Sequence, residues 1–247
     1  MKQQSGTRWL VLAMVSFSLV AWAGDKKNKP ASSPVVDSGS FGVYIKGQRV
    51  ITESFRIEQQ NGISTVKAQL KEAASSGTVQ KCELEMTSAG ELIRYDWSED
   101  SGASLTASVD NEFLVEKIAT PGATKPAEHT LYWPGKTSIL DNNFFVHREV
   151  LVWRYLAGAC NAEGGNWKCQ QGSEAFGVFV PQDHTWTSVR MELVGKEKVT
   201  IRGAERELLR VNLTGESFEW ALWVDAQDQF KLMRVTIPAD KIEVVRD

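Results

Sequence analysis

The chain has 247 residues, 42% of them apolar and 24% charged, with 28 basic against 31 acidic side chains and a formal net charge of −3. That balance excludes a disordered or collagen-like polymer and offers no basic surface to a nucleic acid. A chain of this size buries a substantial core without a structural metal.

Residues 1–23 read as a secretory signal peptide. Lys2 and Arg8 give a positive start, Trp9 to Val20 is a nearly uncharged apolar stretch, and Ala21-Trp22-Ala23 places small residues where a signal peptidase needs them. The apolar run falls short of the roughly 20 residues of a membrane span, and no later run is longer. A mature chain without a transmembrane span is therefore expected, either in the periplasm of a Gram-negative bacterium or secreted. Residues 24–40 are polar, with Pro30, Pro34 and several serines, and are expected to form a flexible linker. Export implies an oxidising compartment. Cys160 and Cys169 flank a short segment in which Gly164-Gly165 permits a tight reversal, so they are expected to pair. Cys82 shares a strand face with Leu84 and Met86 and reads as a small buried hydrophobe.

From residue 41 to 247 the pattern predicts one β-rich domain. Ile51, Phe55 and Ile57 alternate with polar residues, as do Val66, Ala68 and Leu70, then Ile93, Tyr95 and Trp97, then Leu105, Ala107 and Val109, then Phe113 and Val115. Lys46-Gly47, Asn61-Gly62, Ala89-Gly90 and Asp110-Asn111 supply turn residues between the runs, so the first half reads as an antiparallel meander. Pro121, Gly122 and Pro126 interrupt it. One amphipathic helix follows at about 142–157, with Asp141-Asn142-Asn143 offering caps and with Phe144, Phe145, Leu151, Val152, Tyr155 and Leu156 on one face. Alternation resumes at Phe176 and continues through Val189, Met191 and Leu193, Val199 and Ile201, Leu209, Val211 and Leu213, Trp220, Leu222 and Val224, and Met233, Val235 and Ile237. The short gaps forbid parallel crossovers there. The segments 47–95 and 195–235 echo each other weakly, which either a duplication or the sameness of any two meanders explains.

Catalytic motifs fail on spacing. Gly135-Lys136-Thr137 has Thr130 where a phosphate-binding loop needs glycine, and Tyr132, Trp133 and Pro134 fill the loop. No Gly-x-Ser-x-Gly elbow occurs. His129, His147 and His184 form no His-Glu-x-x-His pair and the cysteines do not match a zinc knuckle, so no metal or cofactor is expected. His147, with Asp141 and Glu149 nearby, is the candidate general base, but Glu149 lies two residues away on a different helix face. A surface or capping histidine is the expectation. Glu53 shares the parity of Ile51, Phe55 and Ile57; it sits either at an exposed strand end or in a partly wet cavity between sheet and helix. Trp220 and Trp223 have opposite parity on one strand, so one faces away from the core unless a second layer covers it.

The run Phe41-Gly42-Val43-Tyr44-Ile45-Lys46-Gly47-Gln48-Arg49-Val50 through Glu53-Ser54-Phe55-Arg56-Ile57, the helix with Asp141 and Arg148 near its start, and Trp220-Ala221-Leu222-Trp223-Val224-Asp225 followed by Leu232-Met233-Arg234-Val235 resemble uncharacterised exported bacterial β-proteins. Those are broadly similar to the lipoprotein-localisation-factor fold. The resemblance implies an open, curved antiparallel half-barrel or β-roll with the helix on or near its concave face, and an apolar pocket between them. It transfers no catalytic residue. The expected function is a non-enzymatic, exported protein that binds an apolar ligand such as a lipid or acyl chain, with Glu53, Tyr95, Trp97, Phe145, Val152 and Trp220 lining the sheet–helix cavity. The alternative is a structural or protein-interaction module of the cell envelope with a filled core; a hydrolase comes third.

Overall fold

A computed structural model describes residues 35–74, 77–164 and 166–247; the expected signal peptide, residues 24–34 of the expected linker and Gly165 lie outside the described residues. Period-two alternation becomes strands β1 (Val35–Ile45), β2 (Gln48–Gln60), β3 (Ile63–Glu72), β4 (Gln80–Thr87) and β5 (Leu92–Glu99). The meander goes on with β6 (Ser104–Asp110), β7 (Phe113–Ala119) and β8 (Ala127–Tyr132), followed by the short β9 (Ser138–Ile139) and the helix α1 (Val146–Ala159). A hairpin, β10 (Cys160–Glu163) and β11 (Asn166–Cys169), leads into β12 (Ser173–Val180), β13 (Thr185–Ile201) and β14 (Ala204–Thr214). The chain ends with β15 (Glu219–Asp225), β16 (Lys231–Ile237) and β17 (Ile242–Arg246).

All but the hairpin form one sheet in the order β8-β7-β6-β5-β4-β3-β2-β1-β17-β16-β15-β14-β13-β12-β9. Neighbours are antiparallel except for the two-residue parallel pairing of β9 with β12, which the connection through α1 makes possible. The two meanders join where β17 pairs with β1, from Phe41 opposite Arg246 to Ile45 opposite Ile242. No ladder joins β8 to β9, so the sheet is not closed. Its two ends nevertheless meet through side chains, because Glu116 of β7 contacts His184 in the turn between β12 and β13.

One face of the sheet and α1 share a single core. Phe41, Phe55, Val66, Leu84, Tyr95, Ala107 and Leu114 from the first meander pack in the same cluster as Leu151 and Leu156 of α1 and Val178, Met191, Val211, Leu222, Val235 and Val244 of the second. A smaller cluster forms elsewhere, from Val199, Ile201, Leu208, Ala221, Trp223 and Met233. This resolves the parity of the two tryptophans. Trp220 belongs to the main core, while Trp223 is covered by the guanidinium groups of Arg234 and Arg210, 5.2 and 5.7 Å from its ring, and donates to Glu197 at 2.9 Å.

Four boundaries or faces differ from the sequence reading. Strand β1 begins at Val35, so Val35 to Ser40 are sheet and not linker; Asp37 is drawn in by the Arg246 guanidinium, which it holds through both carboxylate oxygens at 2.7 Å. Gly39 fits that crossing, since a Cβ there would stand 3.1 Å from Arg246 Nη2. The helix starts at Val146 and not near 142, because Asp141, Asn142 and Asn143 make a turn of their own in which Asp141 Oδ1 accepts the Asn143 amide at 2.7 Å. In β7 the buried residues are Leu114 and Glu116, and Phe113 is exposed, the opposite parity to that expected. In β13 a register shift between Leu193 and Gly195 interrupts the alternation, which sends Val199 and Ile201 to the second cluster.

The expected Cys160–Cys169 disulfide is present and joins directly opposed residues of the β10–β11 hairpin, and Cys82 is free and buried. The hairpin also packs Trp167 against Phe230, with ring centroids 4.9 Å apart. Replacing both Cys160 and Cys169 with serine should lower the unfolding free energy by about 2–3 kcal/mol on the loop-closure argument, measured by urea denaturation at neutral pH; an unchanged midpoint would show that the hairpin's packing alone holds it.

Candidate functional site

The first turn of α1 sets the site. His147, Arg148 and Glu149 are consecutive and each is fully buried. Successive helical residues point about 100° apart, so this turn is enclosed on every side and each polar side chain needs its own partner. The amides that open the helix need one as well. Phe145, at the cap position, has no side chain able to accept. The partner comes from β2: Glu53 Oε2 accepts the Phe145 amide at 2.6 Å and Oε1 accepts the Val146 amide at 3.0 Å. Glu53 is thus neither an exposed strand end nor a wall of a wet cavity, but the cap of a helix 92 residues away in sequence. Burial pushes its carboxyl up to about 7, against the pull of the two amides and of the Arg148 charge.

Arg148 serves the turn that precedes the helix. Its guanidinium donates to the carbonyls of Asp141, Phe144 and Asn142, the last two at 2.6 and 3.2 Å. It also lies 4.5 Å from the Trp220 ring and 4.9 Å from the Phe145 ring. Burial lowers its pKa to about 10, which leaves it charged at neutral pH. Asp141 in turn accepts from the Tyr95 hydroxyl.

His147 lies in the core, not at the surface or in a cap. Its Nδ1 accepts the Asp141 backbone amide at 3.1 Å, which places the proton of the neutral ring on Nε2, 3.7 Å from Cys82 Sγ. Burial holds the imidazole down to about 4, and the Cys82 thiol is pushed well above its ordinary range by burial and by the charges of Asp141 and Glu53. A nucleophilic pair needs a thiolate facing an acceptor nitrogen. Here a neutral thiol faces a donor, an arrangement suited to packing.

Glu149, on another side of the helix, meets Arg246 at 3.3 Å. Burial raises its carboxyl well above the usual range, the nearby Asp37 carboxylate adds to that rise, and Arg246 opposes it. Arg246 therefore ties the last strand to the first through Asp37 and to the helix through Glu149.

Of the six side chains expected to line a ligand cavity, Glu53, Tyr95, Val152, Phe145 and Trp220 are buried and Trp97 is half-buried. Clefts lie around them. One of about 510 Å³, at the ends of β1 to β5 nearest the amino terminus of α1, is walled by Val43, Val50, Ile51, Leu70, Val79, Phe145 and Ile242 and rimmed by Glu72, Gln80, Glu99, Asp100, Asn142 and Asn143. A second, of about 310 Å³, lies beside the later turns of α1 and includes Val36, Ile57, Met86, Val150 and Trp153. A third, of about 660 Å³, runs across β2 to β6 and includes Arg56, Lys67, Lys81, Glu83, Asp96 and Thr106, a polar set tied by the Lys67–Glu83 ion pair at 3.2 Å and the Thr106–Asp96 hydrogen bond at 2.9 Å. Phe145 lines the first of these and Trp97 the third. Sequence reasoning missed Val43, Val50, Leu70 and Val79 as possible ligand contacts, since at strand ends an apolar residue reads as ordinary core.

The chain matches no family model, no curated protein and no solved structure. Among the described residues no helix is long and apolar enough to cross a membrane.

Glu53→Ala leaves two buried amides without an acceptor and should cost about 3 kcal/mol of stability; Glu53→Gln, which keeps an acceptor, should cost less. Because the folded-state pKa of Glu53 lies above the ordinary 4.5, ionising it opposes folding. Wild-type stability should therefore fall relative to Glu53→Gln as pH rises from 4.5 to about 7, in urea denaturation series across that window. A constant difference between the two proteins would contradict the assignment.

Proposed function

We propose that the chain is an exported, non-enzymatic binding protein that receives an apolar ligand, such as a lipid or acyl chain, in the cleft of about 510 Å³ beside Phe145. The sequence features of residues 1–23 support export, and the disulfide is compatible with an oxidising compartment such as the periplasm. The observation that carries the reading is the cleft's chemistry. Phe145 and seven aliphatic side chains form its apolar part, and five of these, Ile45, Val50, Ile51, Val79 and Ile242, keep part of their surface open to solvent. An apolar wall beside polar groups that can fix orientation is the usual make-up of a small-molecule site, and here the polar side is supplied by Glu72, Gln80, Glu99, Asp100, Ser101, Asn142 and Asn143. In this reading the sheet is an open half-barrel of the lipoprotein-localisation-factor type, α1 lies on its concave face, and the polar set around Glu53 fixes the helix so that Phe145 forms a rigid end wall.

A second reading, an envelope interaction module with a filled core, draws on the burial of Tyr95, Val152 and Trp220, which line none of the three clefts.

Native mass spectrometry of protein recovered from cells, followed by titration with a fluorescent acyl probe, separates the two. The binding reading predicts a co-purifying lipid or saturable probe uptake, and a loss of at least about tenfold in affinity for Val50→Trp, which fills the cleft from a half-buried position at the margin of the main core and whose folding is checked by its urea midpoint; tenfold corresponds to about 1.4 kcal/mol. Absence of uptake, or uptake unchanged in Val50→Trp, would favour the filled module.

A further inference from the structure

The cleft of about 310 Å³ beside the later turns of α1 has one charged side chain among the residues that line it, Arg154. Its apolar wall is Val36, Ile57, Met86, Val150 and Trp153. Trp153 donates its ring N–H to the Phe230 carbonyl at 3.0 Å, so the rest of the indole offers the cleft only apolar surface. This cleft shares no lining residue with the one beside Phe145: Ile51 of β2 lines that one, whereas Ile57 and Gln59, further along the same strand, line this one. Arg154 is half-buried and forms no ion pair among the described residues. Its guanidinium donates through Nη1 to the Gly90 carbonyl at 3.2 Å and to Ser138 Oγ, and through Nη2 to the Lys136 carbonyl at 2.7 Å. All three acceptors are neutral. A guanidinium has five N–H donors, so Nε and one Nη2 hydrogen are left without an acceptor, and Nε is not an enclosed atom. These two nitrogens form one edge of the fork that grips both oxygens of a carboxylate. Burial lowers the pKa of Arg154, and the carboxylates of Glu91 and Glu174 oppose that only through space.

We propose that this cleft is a second ligand site, for an amphiphile with one carboxylate head and an alkyl chain, the head on the open edge of Arg154 and the chain along Val36, Ile57, Met86, Val150 and Trp153. A positive charge drawn partly out of water and given only neutral partners gains from an anion, and a carboxylate matches the guanidinium in shape as well as in charge. A phosphate monoester carries nearly two negative charges, more than the single cation of this cleft balances. The site does not rest on the cleft beside Phe145, which has no basic residue in its lining.

Isothermal titration of delipidated protein with decanoate and with 1-decanol tests the proposal. The wild-type protein should bind decanoate at least about tenfold more tightly than decanol, the worth of one charge-assisted hydrogen bond. Val50→Trp fills the other cleft, so the preference should persist there. Ala157→Glu should abolish it: Ala157 is exposed, lines the cleft and stands three residues after Arg154 on α1, so the new carboxylate reaches the guanidinium in place of the ligand. Arg154→Gln should abolish it too, but Arg154 also ties Gly90, Lys136 and Ser138 together, so the exposed Ala157→Glu decides. Equal affinity for the two ligands, no decanoate binding by the wild-type protein, a preference that survives Ala157→Glu, or one that disappears in Val50→Trp overturns the site.

Discussion

The carboxylate of Glu53 closes the amino terminus of the only α-helix among the described residues from a strand 92 positions earlier. A helix start leaves amides without intrahelical partners, and in water they cost nothing. Here the start is buried on every side, so the acceptor must be supplied by the protein, and a carboxylate also suits the positive end of the helix dipole. Glu53, Arg148 and Asp141 then form one connected set. The carboxylate takes the helix amides, the guanidinium takes the carbonyls of the preceding turn, and Asp141 holds Tyr95 from the sheet. Removing one partner leaves another buried and unpaired, which is why such sets fix a single arrangement more firmly than apolar packing does.

A second polar set does comparable work along the join between the meanders. Arg246 reaches Asp37, at the start of the domain, and Glu149, on the helix, while its guanidinium lies 5.0 Å from the Phe55 ring. The first strand, the last strand and α1 are thereby linked through one side chain. Both sets converge on the same turn of helix from different directions, so the position of Phe145, and with it the wall of the apolar cleft, depends on them jointly.

The strands were legible because alternation with turn residues between runs is a local signal. Ile51, Phe55 and Ile57, or Leu209, Val211 and Leu213, carry their facing in their own spacing. The disulfide was legible for the same reason, since both cysteines and the reversal lie within ten residues. What failed was whatever depends on a distant partner. Asp37 looked like linker because its partner Arg246 is 209 residues away. Glu116 looked outward-facing because nothing near it announces His184. Glu53 did break the pattern of its strand, and parity alone marked it as anomalous; the amides it serves lie in another element, so its role could not follow from its neighbours. His147 was misplaced through a correct observation, that it and Glu149 point in different directions, joined to the assumption that a helix has one buried face. The apolar cleft stayed hidden because aliphatic residues at strand ends have the same pattern whether they are covered or left open.

A remote carboxylate holds the buried helix start, and the position of the cleft wall follows from it. Native-state hydrogen exchange, resolved by residue in the folded protein, reads that contact at the two amides concerned. Phe145 and Val146 should exchange only through global unfolding, as slowly as the amides of the central strands β1 and β17. Exchange of those two amides at the rate of a frayed helix end would contradict the account.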